Sequence, residues 1–232
     1  MKRLGWGFRL VVGAAMICAV PAQAQKTGSL IKRPDPARPE AETSAAARKT
    51  LQQYAVCMLK RYPKRVQAFI ETPLASAEYG NSFSRLAEPN CMADGMLRIP
   101  QANLRGAIFE AVYEKDFGKR PAPAFPAELD TGFPGSALGE LSPWRLTIVA
   151  MEQFGECVSR ARAEEVRQLL AAPPETPLES RAITLLSPSL SGCVPKGQDF
   201  RFSKTVLRGA LAEGMYRLSK AAETAALAQE TR

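Results

Sequence analysis

The feature that most constrains this chain is that it aligns with itself, cysteines included, at an offset of 100 residues. Gln53-Tyr54-x-x-Cys57 matches Gln153-Phe154-x-x-Cys157, and Val66, Phe69-Ile70 and Pro73 match Val166, Leu169-Leu170 and Pro173 without a gap. With small insertions Cys91 matches Cys193, Gly95 matches Gly197, and Leu97-Arg98-Ile99 matches Phe200-Arg201-Phe202. The strongest block closes each copy: Leu104-Arg105-Gly106-Ala107-Ile108-x-Glu110-x-x-Tyr113 against Leu207-Arg208-Gly209-Ala210-Leu211-x-Glu213-x-x-Tyr216. Agreement in order over about 60 positions predicts two tandem copies of one unit. Four cysteines allow three pairings. Equivalent units most simply close their own bridges, which predicts Cys57 with Cys91 and Cys157 with Cys193. A loop of about 35 residues closed this way contributes on the order of 3 to 4 kcal/mol on the chain-entropy account. That is a large share for a unit too small to bury much core alone. A metal site is not expected, because the chain has no histidine and no Cys-x-x-Cys pair.

Periodicity makes the fold class mainly α: two disulfide-stapled helical units joined by a Pro- and Gly-rich linker. In the first unit a helix over 46–61 ends near Pro63 and a second follows over 64–71; a weaker third lies around 76–86. In the second, Ser142 caps a helix with Pro143 at its first position, and Ile148, Met151, Phe154 and Val158 form one apolar face. Residues 163–171 give the next helix. Thr176-Pro177-Leu178-Glu179 reads as a capping box for the third. Ser203 caps the last helix, with Phe202 and Leu207 as a hydrophobic staple and Val206, Ala210, Leu211 and Met215 as the apolar face, Tyr216 beside it. Gly inside Leu-Arg-Gly-Ala costs about 1 kcal/mol of helix stability, so close helix packing is expected to require it. The expected organisation is 1–24 signal peptide, 25–42 disordered leader, 43–116 unit one, 117–141 linker, 142–220 unit two and 221–232 a polar, fraying tail.

The amino terminus carries the export reading. Lys2, Arg3 and Arg9 precede the uninterrupted apolar run Leu10 to Val20, too short to span a bilayer, and Ala22-x-Ala24 supplies small residues for cleavage after Ala24. The expected location is the periplasm, with no transmembrane segment after cleavage. Cys18 in the apolar run does not make a lipoprotein signal, because Ile17 is too large for the preceding position. Losing the three cations lowers the formal net charge from +8 to +5, a modest excess compatible with anionic partners. Export removes the chain from cytoplasmic nucleic acid. The absence of histidine excludes Ser-His-Asp and Cys-His nucleophiles, His-ligated zinc or haem, and imidazole acid–base steps.

The repeated unit, with two cysteines and a Leu-Arg-Gly-Ala-x-x-Glu-x-x-Tyr close, is similar to exported alphaproteobacterial proteins of this architecture over roughly 51–216. The resemblance implies a compartment and a fold but no activity, cofactor or site. Arg98, Arg105, Glu110 and Tyr113 recur as Arg201, Arg208, Glu213 and Tyr216, and the scaffold reading fits them best: arginines on helix-end carbonyls, glutamates paired with arginine. Differences between the copies point to function instead. Lys60, Arg61, Lys64 and Arg65 cluster at a helix break where the second copy has Arg160, Ala161, Glu164 and Glu165. The expectation is a non-catalytic periplasmic binding or envelope-associated module whose partner is an anionic envelope component or another periplasmic protein. Neither a cofactor nor a catalytic residue is assigned. The alternatives are a carboxylate-dependent hydrolase of envelope glycans, using Glu110 and Glu213, or a small-molecule carrier with its site between the units. Ser29-x-x-Lys32 matches a Ser-Lys pattern by accident of a disordered leader.

Overall fold

In a computed structural model, residues 45–73, 76–92, 99–132, 143–194 and 202–230 are described. The expected signal peptide and leader, Ser142, and Arg98 and Arg201 with their flanking Gly95 and Gly197 lie outside them. Eight α-helices follow in order among the described residues: α1 Ala45–Arg61, α2 Pro63–Glu71, α3 Tyr79–Ser84, α4 Gln101–Asp116, α5 Pro143–Ala161, α6 Ala163–Ala171, α7 Pro177–Leu190 and α8 Lys204–Glu230. Single 3-10 turns, Pro89–Cys91 and Ser191–Cys193, precede α4 and α8 and present the later cysteines. Bridges join Cys57 to Cys91 and Cys157 to Cys193, the pairing expected from one bridge within each copy. The described residues contain no strand.

Proline punctuates the helices where it helps. Pro63 opens α2 directly after Tyr62, and Pro177 opens α7 after its cap Thr176. Only half of the expected capping box forms. Glu179 N–H donates to Thr176 Oγ1, but the Glu179 carboxylate accepts from the N–H of Glu175, one residue before the cap. Glu175 stands at φ 60°, and this left-handed step turns its N–H toward the carboxylate. Ser203 caps α8 through the N–H of Val206, and Phe202 stacks on Phe154 at 4.7 Å.

The helices share one core. Its buried side chains come from both halves, with Met58, Phe69, Ile108 and Phe109 from the first and Phe154, Val158, Leu169 and Leu211 from the second. α8 runs through its middle, packing on α4, α5 and α6, so every residue from Leu207 to Tyr216 is buried. The single apolar face read from the sequence is therefore too narrow, because no side of this stretch is left to solvent. α5 departs in the same way: its buried side holds Val149, Phe154 and Val158 but also Glu152, Gly155 and Ser159, while Ile148 and Met151 are half-buried. Polar residues on a buried face fall outside the apolar period, which therefore marks only part of that face.

Two close approaches set the helix geometry. A Cβ on Gly106 would meet the Gly209 Cα at 2.5 Å, and one on Gly209 would meet the Gly106 Cα at 2.7 Å, so α4 and α8 cross backbone to backbone. α5 seats on α8 as tightly: a Cβ on Gly155 would lie 2.0 Å from the Ala210 carbonyl oxygen. The described part of the linker, 117–132, is irregular but held. Arg160 donates to the carbonyls of Pro126 and Leu129, Thr131 donates to Glu156, and Phe125 is buried. The polar tail from Ala221 continues α8 as helix to Glu230, consistent with its alanine-rich composition and the Lys220–Glu223 pair.

Candidate functional site

The basic cluster falls at one corner. Lys60 and Arg61 end α1, Lys64 and Arg65 lie in the first turn of α2, and all four are exposed. The chain turns there because Tyr62, between the helices, accepts at its carbonyl from Arg65 and Val66 while donating its own N–H to Met58. Two of the cations are anchored to the segment before Cys91. Arg61 donates to the Asn90 carbonyl at 3.0 Å, and Arg65 pairs with Glu88 at 3.0 Å while lying over the Tyr62 ring at 4.6 Å. The N–H of Asn90 and the Arg65 guanidinium hold the Glu88 carboxyl below its usual value. Tyr54 braces the same segment by donating to the Leu86 carbonyl and accepting from the Glu88 N–H. Lys60 and Lys64 make no ion pair among the described residues. Nothing caps the start of α2 with a side chain, so its positive end adds to the corner.

The corresponding corner, α5 to α6, is neutralised within itself. Arg162 pairs with Glu165 and Arg167 with Glu164, and the Arg167 and Gln168 hydrogen bonds hold Glu164 down to about 2. The Arg160 side chain is turned to Glu156 and the linker carbonyls.

The recurring Arg and Glu residues lie together in the core as two reciprocal clusters, one on each side of the glycine crossing. Arg105 of α4 donates Nε–H and Nη2–H to Glu213 of α8, at 2.8 and 2.5 Å. Arg208 of α8 donates Nε–H and Nη2–H to Glu110 of α4, at 2.9 and 2.8 Å. Arg208 also donates to the carbonyls of Leu169 and Leu170 at the end of α6, the helix-end role expected for a scaffold arginine. Burial opposes the Arg105 charge, but the Glu213 and Glu152 carboxylates outweigh it and raise its value. Glu110 and Glu213, the carboxylates offered for hydrolysis, are thus each engaged by a guanidinium, Glu213 from full burial.

Residue-type reasoning missed several partners of these clusters, Gln52 on Glu110 and Arg217 on Glu213 among them. Glu152 and Tyr79 contact Arg105, and Glu179 contacts both Arg208 and Arg48. Tyr79 and Glu179 occupy matching positions at the offset of 100, as do Gln52 and Glu152. That register was the available signal.

Two spaces are present near these elements. An open groove of about 600 Å³ runs between α5 and the linker, lined by Phe125, Ala127, Gln153, Glu156 and Arg160. Between the halves, Arg48, Gln52, Asn103, Glu110, Thr205 and Arg208 line about 20 Å³, room for about one water molecule. Among the described residues no group of three or more Cys, Asp or Glu could hold a metal ion, and no helix is long and apolar enough to cross a membrane. No family model, curated protein or solved structure matches this chain.

Proposed function

We propose that the protein is a non-catalytic binding module of the periplasm, exported by cleavage after Ala24, that docks on an anionic component of the envelope through Lys60, Arg61, Lys64 and Arg65. The observation that supports this is the contrast between two equivalent corners. The first exposes four cations against one paired carboxylate, whereas the second spends its charges internally. Arg61 and Arg65 are held by the 88–90 segment and pay little ordering entropy on binding. Lys60 and Lys64 remain free to meet phosphate or carboxylate oxygens. The two disulfides accord with an oxidising compartment.

The test uses the mature chain and vesicles of phosphatidylglycerol and cardiolipin, with phosphatidylcholine vesicles as the neutral arm. A cation near an anionic surface contributes about 1 kcal/mol, so reversing all four to Glu should weaken binding by about a hundredfold or more. Binding should also fall as salt rises. In-cell crosslinking with the same reversal separates a lipid from a polymer or protein target. Equal capture and equal vesicle binding by the reversal variant would overturn the assignment.

A further inference from the structure

Glu152 is buried on α5 and its only N–H donor among the described residues is Arg105 Nη2, at 2.6 Å. The same nitrogen lies 2.5 Å from Glu213 Oε1, so two buried carboxyl groups converge on one guanidinium nitrogen. Carboxyl groups crowded in this way can hydrogen-bond to each other only through a proton. The other cluster shows which group stands there when no titration is possible. Gln52, at the position matching Glu152, donates Nε2–H to Glu110 at 2.6 Å while Glu110 accepts from Arg208. A protonated acid at 152 would have the donor that the amide supplies permanently at 52.

We infer that Glu152 is a proton-binding site that latches α5 to α8: protonated, it donates to Glu213 as Gln52 donates to Glu110, and ionised, it sets two carboxylates against each other and loosens α5.

Every element around the pair contributes to this balance. α3 brings Tyr79, whose hydroxyl faces Arg105; α4 brings Arg105; α8 brings Glu213 and Arg217. α2 faces the guanidinium with the uncharged Phe69 ring. Arg217 gives both of its hydrogen bonds to Glu213 and none to Glu152. Glu213 is thus the partner that stays ionised: burial opposes this, but Arg105 and Arg217 hold it down to about 2. Burial first, and then the Glu213 charge, push Glu152 well above the ordinary carboxylate range. The pair sits one helical turn from Gly155, where α5 meets the Ala210 carbonyl. Loosening at 152 therefore acts where the helices are closest. It also reaches the linker, because Glu156 and Arg160 of α5 hold Thr131 and Leu129. In a compartment whose pH follows the medium, such as the periplasm proposed above, α5 would seat or loosen with external pH.

A carboxyl raised on folding gives stability that is full below its unfolded value, about 4.3, and lost as pH rises through the folded value. Urea unfolding of the mature protein and of Glu152→Gln across pH 4 to 9 reads this directly. Between about pH 4.3 and the folded value, the wild-type folding constant should fall about tenfold per pH unit relative to the variant. Amide exchange in α5, corrected for its intrinsic pH dependence, should rise with pH in the wild type only. Carbon-13 titration of the Glu152 carboxyl in the unmutated protein supplies a readout that needs no variant. Parallel pH curves for the two proteins, or a Glu152 carboxyl titrating at or below the ordinary range, would overturn the inference.

Discussion

Gly106 and Gly209 face each other where α4 crosses α8, and each would drive a methyl group into the other's backbone. Backbone atoms cannot swing aside as a side chain can, so the helices would have to separate and open the Arg105 and Arg208 clusters that flank them. Gly106→Ala and Gly209→Ala are each expected to cost about 2 to 3 kcal/mol in urea unfolding, the upper part of the overpacking range. Gly80 on α3 is the control. Its Cβ would meet nothing within 4 Å, so Gly80→Ala should be neutral or gain about 0.5 to 1 kcal/mol. A similar small gain at all three positions would mean that helix propensity, not the crossing, governs the glycines.

At the scale of elements, α2, α6 and both bridges could be read from the chain because their signals are local: a proline at the first helical turn, an apolar period, a cysteine at each end of a unit. α5 and α8 were read less well. Their buried faces include Glu152, Ser159, Arg208 and Glu213, and an ion pair completed from another helix looks in sequence like a solvated surface. Glu179 was read as a capping residue, and its carboxylate is drawn instead to Arg48 and the Glu175 N–H. The basic corner was legible as a charge run, but its bracing by Glu88 and Asn90 depends on the Cys57–Cys91 bridge and on Tyr54. The bridges close separations of 34 and 36 residues, so chain entropy gives each about 4 kcal/mol. Replacing either pair by Ala should cost a similar amount in urea unfolding. Only Cys57→Ala with Cys91→Ala should also weaken binding to anionic vesicles, because it frees the segment that holds Arg61 and Arg65. Equal loss of binding in both variants would detach the bridge from the corner.

For the whole molecule, the reciprocal pairs Arg105–Glu213 and Arg208–Glu110 make each half complete the charges buried in the other. α8 cannot leave α4 without stranding an arginine and a glutamate on both sides, and breaking such a buried pair costs about 3 to 5 kcal/mol. Unfolding should therefore be one cooperative transition, even though each half has its own disulfide. Acid provides the test. Glu213 and Glu164, held down to about 2, and Glu179, lowered by Arg48 and the Glu175 N–H against its burial, give stability that is present above about pH 4.3. It is lost as pH falls toward 2. Residues 25–232, the mature chain proposed above, hold a single tryptophan, Trp144, in the second half, and four of the five tyrosines lie in the first. Trp144 fluorescence, tyrosine absorbance and far-UV circular dichroism should then trace one acid transition with one midpoint. A tryptophan transition separated from the tyrosine transition would mean that each half folds on its own core and that the arginine–glutamate exchange does not couple them.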